Sequence, residues 1–199
     1  MPSYQSLEKK LGLTGDLPVT EDWSAAPDFL DLISDHCLEV KPHNIVECSS
    51  GTSSLILSRC CQLNLTGHVF SLENGVQYVA QTKRQLEELS LSEYCDIIHA
   101  PLKDIRLDDD YFKWYDLDAL PEIEIDMLVI DGPPGFLQKH SRYPALPLLS
   151  EKFSEHCIIF LDDAAREDEQ ELVDLWSKDY PEFEIEYIDN ERGCFILKK

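Results

Sequence analysis

The sequence predicts an α/β protein with a doubly wound, mostly parallel sheet that ends in an antiparallel hairpin. Short apolar runs of strand length recur at 44–48, 68–72, 95–99, 125–130, 157–161, 183–188 and 194–197. Helical patterns fill several gaps, from Ser54 to Leu63, Val76 to Leu89, Leu146 to Phe153 and Glu167 to Trp176. Such alternation argues for a parallel sheet covered on both faces. Between the last two runs there is only Asp189-Asn190-Glu191-Arg192-Gly193, which reads as a turn, so these two strands should pair antiparallel.

Ahead of this body, Tyr4 to Trp23 mix a short helical pattern with Gly12, Gly15 and Pro18. They read as an irregular arm over the domain edge, so residues 1–27 are set apart as an arm and 28–199 as one domain. Pro27 opens a helix whose apolar face runs through Phe29, Leu30, Leu32, Ile33, Cys37 and Leu38, and Lys41-Pro42-His43 ends it. Before the fourth run of the sheet lies a long insertion. Its acidic stretch Asp108-Asp109-Asp110 reads as a solvated loop. The aromatics that follow, Tyr111 to Tyr115, are candidates to pack on the core edge, cover a ligand or contact a second copy in a homodimer.

A chain of 199 residues can bury a full core. The net charge of -22, from 39 acids against 17 bases, repels phosphate backbones and anionic lipids. Nucleic acid and membrane are therefore not expected partners. The seven cysteines, at 37, 48, 60, 61, 95, 157 and 194, form no CxxC pair and fall largely in apolar runs. They read as buried small hydrophobes in a reducing compartment. With no apolar segment of signal-peptide or membrane-spanning kind, a cytoplasmic location is expected.

The chemistry concentrates at strand ends. Asn44-Ile45-Val46-Glu47-Cys48 ends in an acid and is followed by a loop of small residues, Ser49-Ser50-Gly51-Thr52-Ser53-Ser54. The next run ends in Glu73. In an open α/β sheet both acids would lie where ligands bind. Small residues permit close backbone approach, a helix N-terminus offers free N–H groups, and an acid on the second strand suits a ribose diol. A nucleoside with an anionic or zwitterionic tail fits this set. The nicotinamide fingerprint would need glycines at Ser49, Gly51 and Ser54, and one is present.

The arrangement resembles the class I S-adenosylmethionine-dependent methyltransferases. Glu47 fills the acid position of their first motif and Gly51 its middle glycine, while Ser49 and Ser53 replace the flanking glycines. Serine tolerates positive φ poorly, so a family geometry that needs it at Ser49 would strain the loop. The resemblance implies a Rossmann-like methyltransferase sheet. It assigns Glu47, Ser49, Gly51 and Ser53 to the methionine end of S-adenosylmethionine, Glu73 and Asn74 to the adenosine, and Leu102 to the adenine wall.

The fourth run leads into Asp131-Gly132-Pro133-Pro134-Gly135, and the fifth ends in Asp162-Asp163. Neighbouring strands would bring these carboxylates together. One reading makes Asp131, Asp162 and Asp163 ligands of magnesium, as in catechol-type O-methyltransferases, although those carry Asp-Asn where this chain has Asp-Asp. The other has Asp163 capping a helix that begins near Ala164, and Asp162 paired with Arg166 or Arg142. A hydroxyl acceptor needs a base, for which Asp131 is the first candidate and His140 the second. The segment around Arg142-Tyr143-Pro144 and Asp162-Asp163-Ala164-Ala165-Arg166 looks like a bacterial-type subgroup associated with small-molecule or sugar O-methylation. Methyl transfer to a hydroxyl of a small polar molecule is thus expected. The alternatives are a metal-assisted catechol-like enzyme and a nucleoside-binding protein without catalysis.

Overall fold

The computed structural model describes residues 2–13, 17–20 and 23–199. Among these lie nine strands: β1 (Asn44–Cys48), β2 (His68–Glu73), β3 (Cys95–His99), β4 (Leu102–Leu107), β5 (Asp110–Tyr115), β6 (Ile125–Ile130), β7 (Phe153–Leu161), β8 (Glu184–Ile188) and β9 (Cys194–Lys198). Six α-helices accompany them: α1 (Tyr4–Leu11), α2 (Pro27–Val40), α3 (Thr52–Asn64), α4 (Val76–Glu88), α5 (Ala145–Leu149) and α6 (Glu167–Asp179).

Seven strands form one sheet in the order β3-β2-β1-β6-β7-β9-β8. The first five are mutually parallel. β9 lies antiparallel between β7 and β8, so the expected hairpin forms with the final strand tucked inside and β8 at the edge. The order reverses between β1 and β6, and the crevice beyond their carboxyl ends is the place where this topology opens a binding site.

Both faces of the sheet are buried, as near-continuous apolar strands require. Ile45, Val69, Met127 and Val129 face a core shared with α1, α2 and α3 through Leu11, Phe29, Ile33 and Leu55. The alternate residues Val46, Phe70, Leu128 and Ile130 face a second core with α5, α6 and β5, including Leu146, Trp176 and Trp114. All seven cysteines are buried.

Three elements differ from the sequence reading. The irregular arm contains α1, whose Leu7 and Leu11 are 1% exposed and belong to the first core. The helix is set off locally, because the Ser3 hydroxyl accepts the Ser6 amide and Gly12 closes it at φ 60. Gly15 lies outside the described residues. The insertion gains strands that were not expected: β4 and β5 form an antiparallel hairpin, and the acidic stretch makes its turn at Asp108, whose φ is 51. Asp tolerates this left-handed conformation better than most residues. Finally, the helix expected from Leu146 to Phe153 shrinks to the five residues of α5, and β7 starts at Phe153, which is buried against the second core.

Candidate active site

The loop after β1 is built on hydroxyls. Ser49 and Gly51 both hold positive φ, at 139 and 136, so a serine does occupy backbone space suited to glycine. Beneath the loop, Glu47 is fully buried and accepts from Ser54 Oγ at 2.5 Å and Ser71 Oγ at 2.6 Å. Burial pushes its carboxyl up, and the hydroxyls of Ser53, Ser54 and Ser71 act against that. Ser54 Oγ also accepts the Gly51 amide at 3.1 Å. The assignment of Glu47 to the ligand is therefore corrected. It does not line the crevice and instead anchors the loop from below.

Glu73 does face the crevice. Its two oxygens accept Ser50 Oγ and the Gly75 amide, each at 2.7 Å, which fixes the carboxylate while leaving lone pairs for a diol. A cavity of about 470 Å³ opens over Ser49, Gly51, Ser53, Glu73, Asn74 and Asp131. Nothing lies within 4 Å of where a Gly51 side chain would begin, so the loop backbone is open to a ligand. The lining includes Glu73 and Asp131 but no lysine or arginine. Such a wall disfavours a pyrophosphate and suits a nucleoside with a positive centre.

Sequence reasoning missed much of this wall. Tyr78, Gln81, Thr82 and Gln85 come from α4. Leu102 itself starts β4, packs against the second core and does not line the cavity, which corrects that assignment. Pro18, Thr20, Trp23, Ser24 and Ala25 arrive from the N-terminal segment, tied down by Thr52 Oγ1 donating to the Pro18 carbonyl at 2.7 Å. Tyr115 arrives from the hairpin. It packs so closely on Gly132 that a side chain there would begin 2.5 Å from its hydroxyl. Burial keeps the Tyr115 phenol protonated, well above its ordinary range. No local sequence signal marks any of these, because each depends on tertiary placement.

Asp131, Asp162 and Asp163 do converge, with one carboxylate oxygen from each lying within 4.8 Å of the others. Arg142 already stands among them. Its Nη2 is 2.7 Å from Asp163 Oδ2 and 3.3 Å from Asp131 Oδ1, and its Nη1 donates to the Asp162 carbonyl at 2.8 Å. Only 2% of Arg142 is exposed. Burial alone would lower its pKa, but Asp131, Asp163 and Glu169 hold it charged. Asp162 is left with no donor to either buried oxygen, and burial followed by its acidic neighbours drives its pKa well up. A magnesium ion does not fit this set, because the Arg142 guanidinium already faces two of the three carboxylates. The helix-cap reading of Asp163 is corrected too, since α6 starts at Glu167 and Asp163 instead pairs with Arg142 and, at 2.8 Å, Arg166. The expected pairing of Asp162 with Arg142 or Arg166 likewise belongs to its neighbour Asp163.

Asp131 sits where the cofactor-type cavity meets a second one of about 480 Å³, and the two also share Trp23, Pro134 and Phe136. Burial pushes its carboxyl to about 7, against the pull of Arg142. That value suits a base operating near neutrality. His140 is not brought to it. Its ring pairs with Glu171 of α6 at 2.9 Å, its amide donates to Asp168, and it lines neither cavity, which removes it as a second base.

A Rossmann-like sheet with an acid at the end of its second strand and a cavity at its switch point defines a doubly wound α/β protein with a ligand-sized crevice. More narrowly, the chain has the fold of the class I S-adenosylmethionine-dependent methyltransferases. It superposes on an O-methyltransferase from Bacillus cereus in complex with SAH with a TM-score of 0.69, 14% identity, and 100% of this chain and 93% of that one covered. TomG of Streptomyces achromogenes, an O-methyltransferase involved in tomaymycin synthesis and solved with SAM, gives 0.65 and 13%, covering 97% and 86%. A precorrin-6y C5,15-methyltransferase from Geobacter metallireducens gives 0.65 and 13%, covering 92% of each chain. No protein-family model matches the sequence, and no curated protein matches it.

Proposed function

We propose that this chain is an S-adenosylmethionine-dependent methyltransferase acting on a hydroxyl of a small polar acceptor. The observation that carries the reading is Asp131, a carboxyl with a pKa near 7 at the junction of two cavities, one of which has acids and no cationic side chain. The residues fit the cofactor: the open loop at 49–53 would receive the methionine end, and Glu73 with Asn74 the ribose. When bound there, S-adenosylmethionine supplies an already activated methyl group. The chain then has to hold the acceptor in line and remove its proton. Asp131 would accept that proton at a carboxylate oxygen. Arg142 keeps the Asp131 carboxyl fixed through its 3.3 Å contact. Trp23 and Phe136 stand at the rim that the two cavities share.

Calorimetry with S-adenosylmethionine, combined with methyl transfer to a panel of hydroxyl compounds, tests the proposal. Wild type and Asp131→Asn should both bind, and only wild type should transfer. Failure of the wild type to bind would sink the reading.

A further inference from the structure

The second cavity has an uneven charge that the overall acidity of the chain does not foretell. The protein has six arginines, and three of them, Arg142, Arg166 and Arg192, line this one cavity. Its acids are largely committed. Four acids line it beside the three arginines: Asp163 faces Arg142 at 2.7 Å and Arg166 at 2.8 Å, Asp131 lies 3.3 Å and Glu169 3.6 Å from Arg142, and Asp168 accepts the His140 amide at 2.9 Å. Arg192 has no carboxylate within ion-pair reach among the described residues, although it is partly buried and faces the cavity.

Its position is built. Arg192 lies in the β8–β9 turn, whose main chain is clamped to the segment after β7: the Ala165 amide donates to the Arg192 carbonyl at 2.9 Å and the Ala164 amide to the Gly193 carbonyl at 3.0 Å. Gly193, at φ 73, permits that approach, since a side chain there would begin 2.4 Å from the Ala165 nitrogen. The backbone is thus fixed beside Arg166, and among the described residues the guanidinium has no ion-pair partner. At the shared mouth, Trp23 and Phe136 meet edge to face at 6.4 Å and are 60% and 78% exposed. They offer an apolar surface to the body of a ligand whose charged end reaches the arginines.

We propose that this cavity takes a methyl acceptor bearing an anionic group, a carboxylate or a phosphate, received by Arg192 and the outer face of Arg166. The assignment as acceptor rests on the methyltransferase reading. The two cavities then divide the labour by charge, the acidic one for the sulfonium nucleoside and the arginine-lined one for the anion.

The test is calorimetry on the full chain with 4-hydroxybenzoate, phenyl phosphate and the neutral 4-hydroxybenzamide, in wild type, Arg192→Gln and Arg192→Lys. At least one anion should bind wild type about tenfold or more tightly than the amide, as a charge-assisted hydrogen bond requires. That preference should vanish in Arg192→Gln and partly return in Arg192→Lys. The anion that wins distinguishes carboxylate from phosphate. Equal binding of amide and anions, no binding of either anion at millimolar concentration, or an unchanged preference in Arg192→Gln overturns the proposal. S-adenosylmethionine is titrated in parallel. If it binds wild type, the absence of an anion preference in wild type, or its persistence in Arg192→Gln, overturns this inference and leaves the methyltransferase reading standing. If it does not bind, both fall.

Discussion

At the scale of single residues, the site turns on where a carboxylate is held and by what. Glu73→Gln keeps an oxygen for the loop but loses the charge, and should weaken S-adenosylmethionine binding by about 1.5–3 kcal/mol in calorimetry, with little change in melting temperature. Glu73→Ala would also release Ser50 and the Gly75 amide, so both affinity and stability should fall. Asp131 has a folded pKa raised to about 7, above the ordinary carboxylate range. The sign follows from linkage: the folded state holds this proton more tightly than the unfolded chain, so its contribution to stability is full at low pH and is lost as pH rises through about 7. The stability difference between wild type and Asp131→Asn should therefore drift against wild type between about pH 4 and 7 in denaturant titrations. Turnover should rise over the upper part of the same range as the base ionises. Ser49 supplies a prediction of opposite sense. Ser49→Gly relieves a positive φ of 139 and should raise stability by about 1 kcal/mol, seen as a melting temperature about 2–4 °C higher. This conflict was legible in the sequence, because a serine stood at a glycine position of the motif. The roles of Glu47 and His140 were not. An acid at a strand end and a histidine in a loop have the same local pattern whether they face a ligand, a serine or a glutamate on a distant helix.

At the scale of elements, the parallel strands and α3, α4 and α6 were readable because apolar periodicity and turn residues agree within each segment. The β4–β5 hairpin was hidden. Its strands, LKDIRL and DYFKWY, carry charged and aromatic residues with exposed faces, and its turn is made by aspartates that look like solvated loop. Yet this hairpin delivers Tyr115 to the crevice, against Gly132. Gly132→Ala would drive a methyl into the Tyr115 hydroxyl and the Cys48 carbonyl, which lie 2.5 and 3.1 Å from its starting point. Overpacking of this kind costs about 1–3 kcal/mol. Chemical denaturation should register the loss, and cofactor affinity should fall with it because Tyr115 and the loop after β6 move together.

At the scale of the whole molecule, the charge of -22 sets the background against which each cation is placed. Arg142 faces Asp131 and Asp163 from within the cluster. The melting temperature of wild type should therefore be the same in excess magnesium and in a chelator, and Asp162→Asn, which exchanges a buried carboxyl for an amide of the same shape, should leave that insensitivity intact. A chelator that lowers the melting temperature, with recovery on adding magnesium, would overturn the account of the cluster. Among the described residues no helix is long and apolar enough to cross a membrane. The exposed indole at the crevice mouth has a practical consequence. Of the three tryptophans, Trp114 and Trp176 are fully buried, and Trp23 alone is largely exposed, on the rim shared by both cavities. Red-edge fluorescence from this protein thus reports one address, and iodide quenching of that emission becomes a direct count of how often the doorway is occupied.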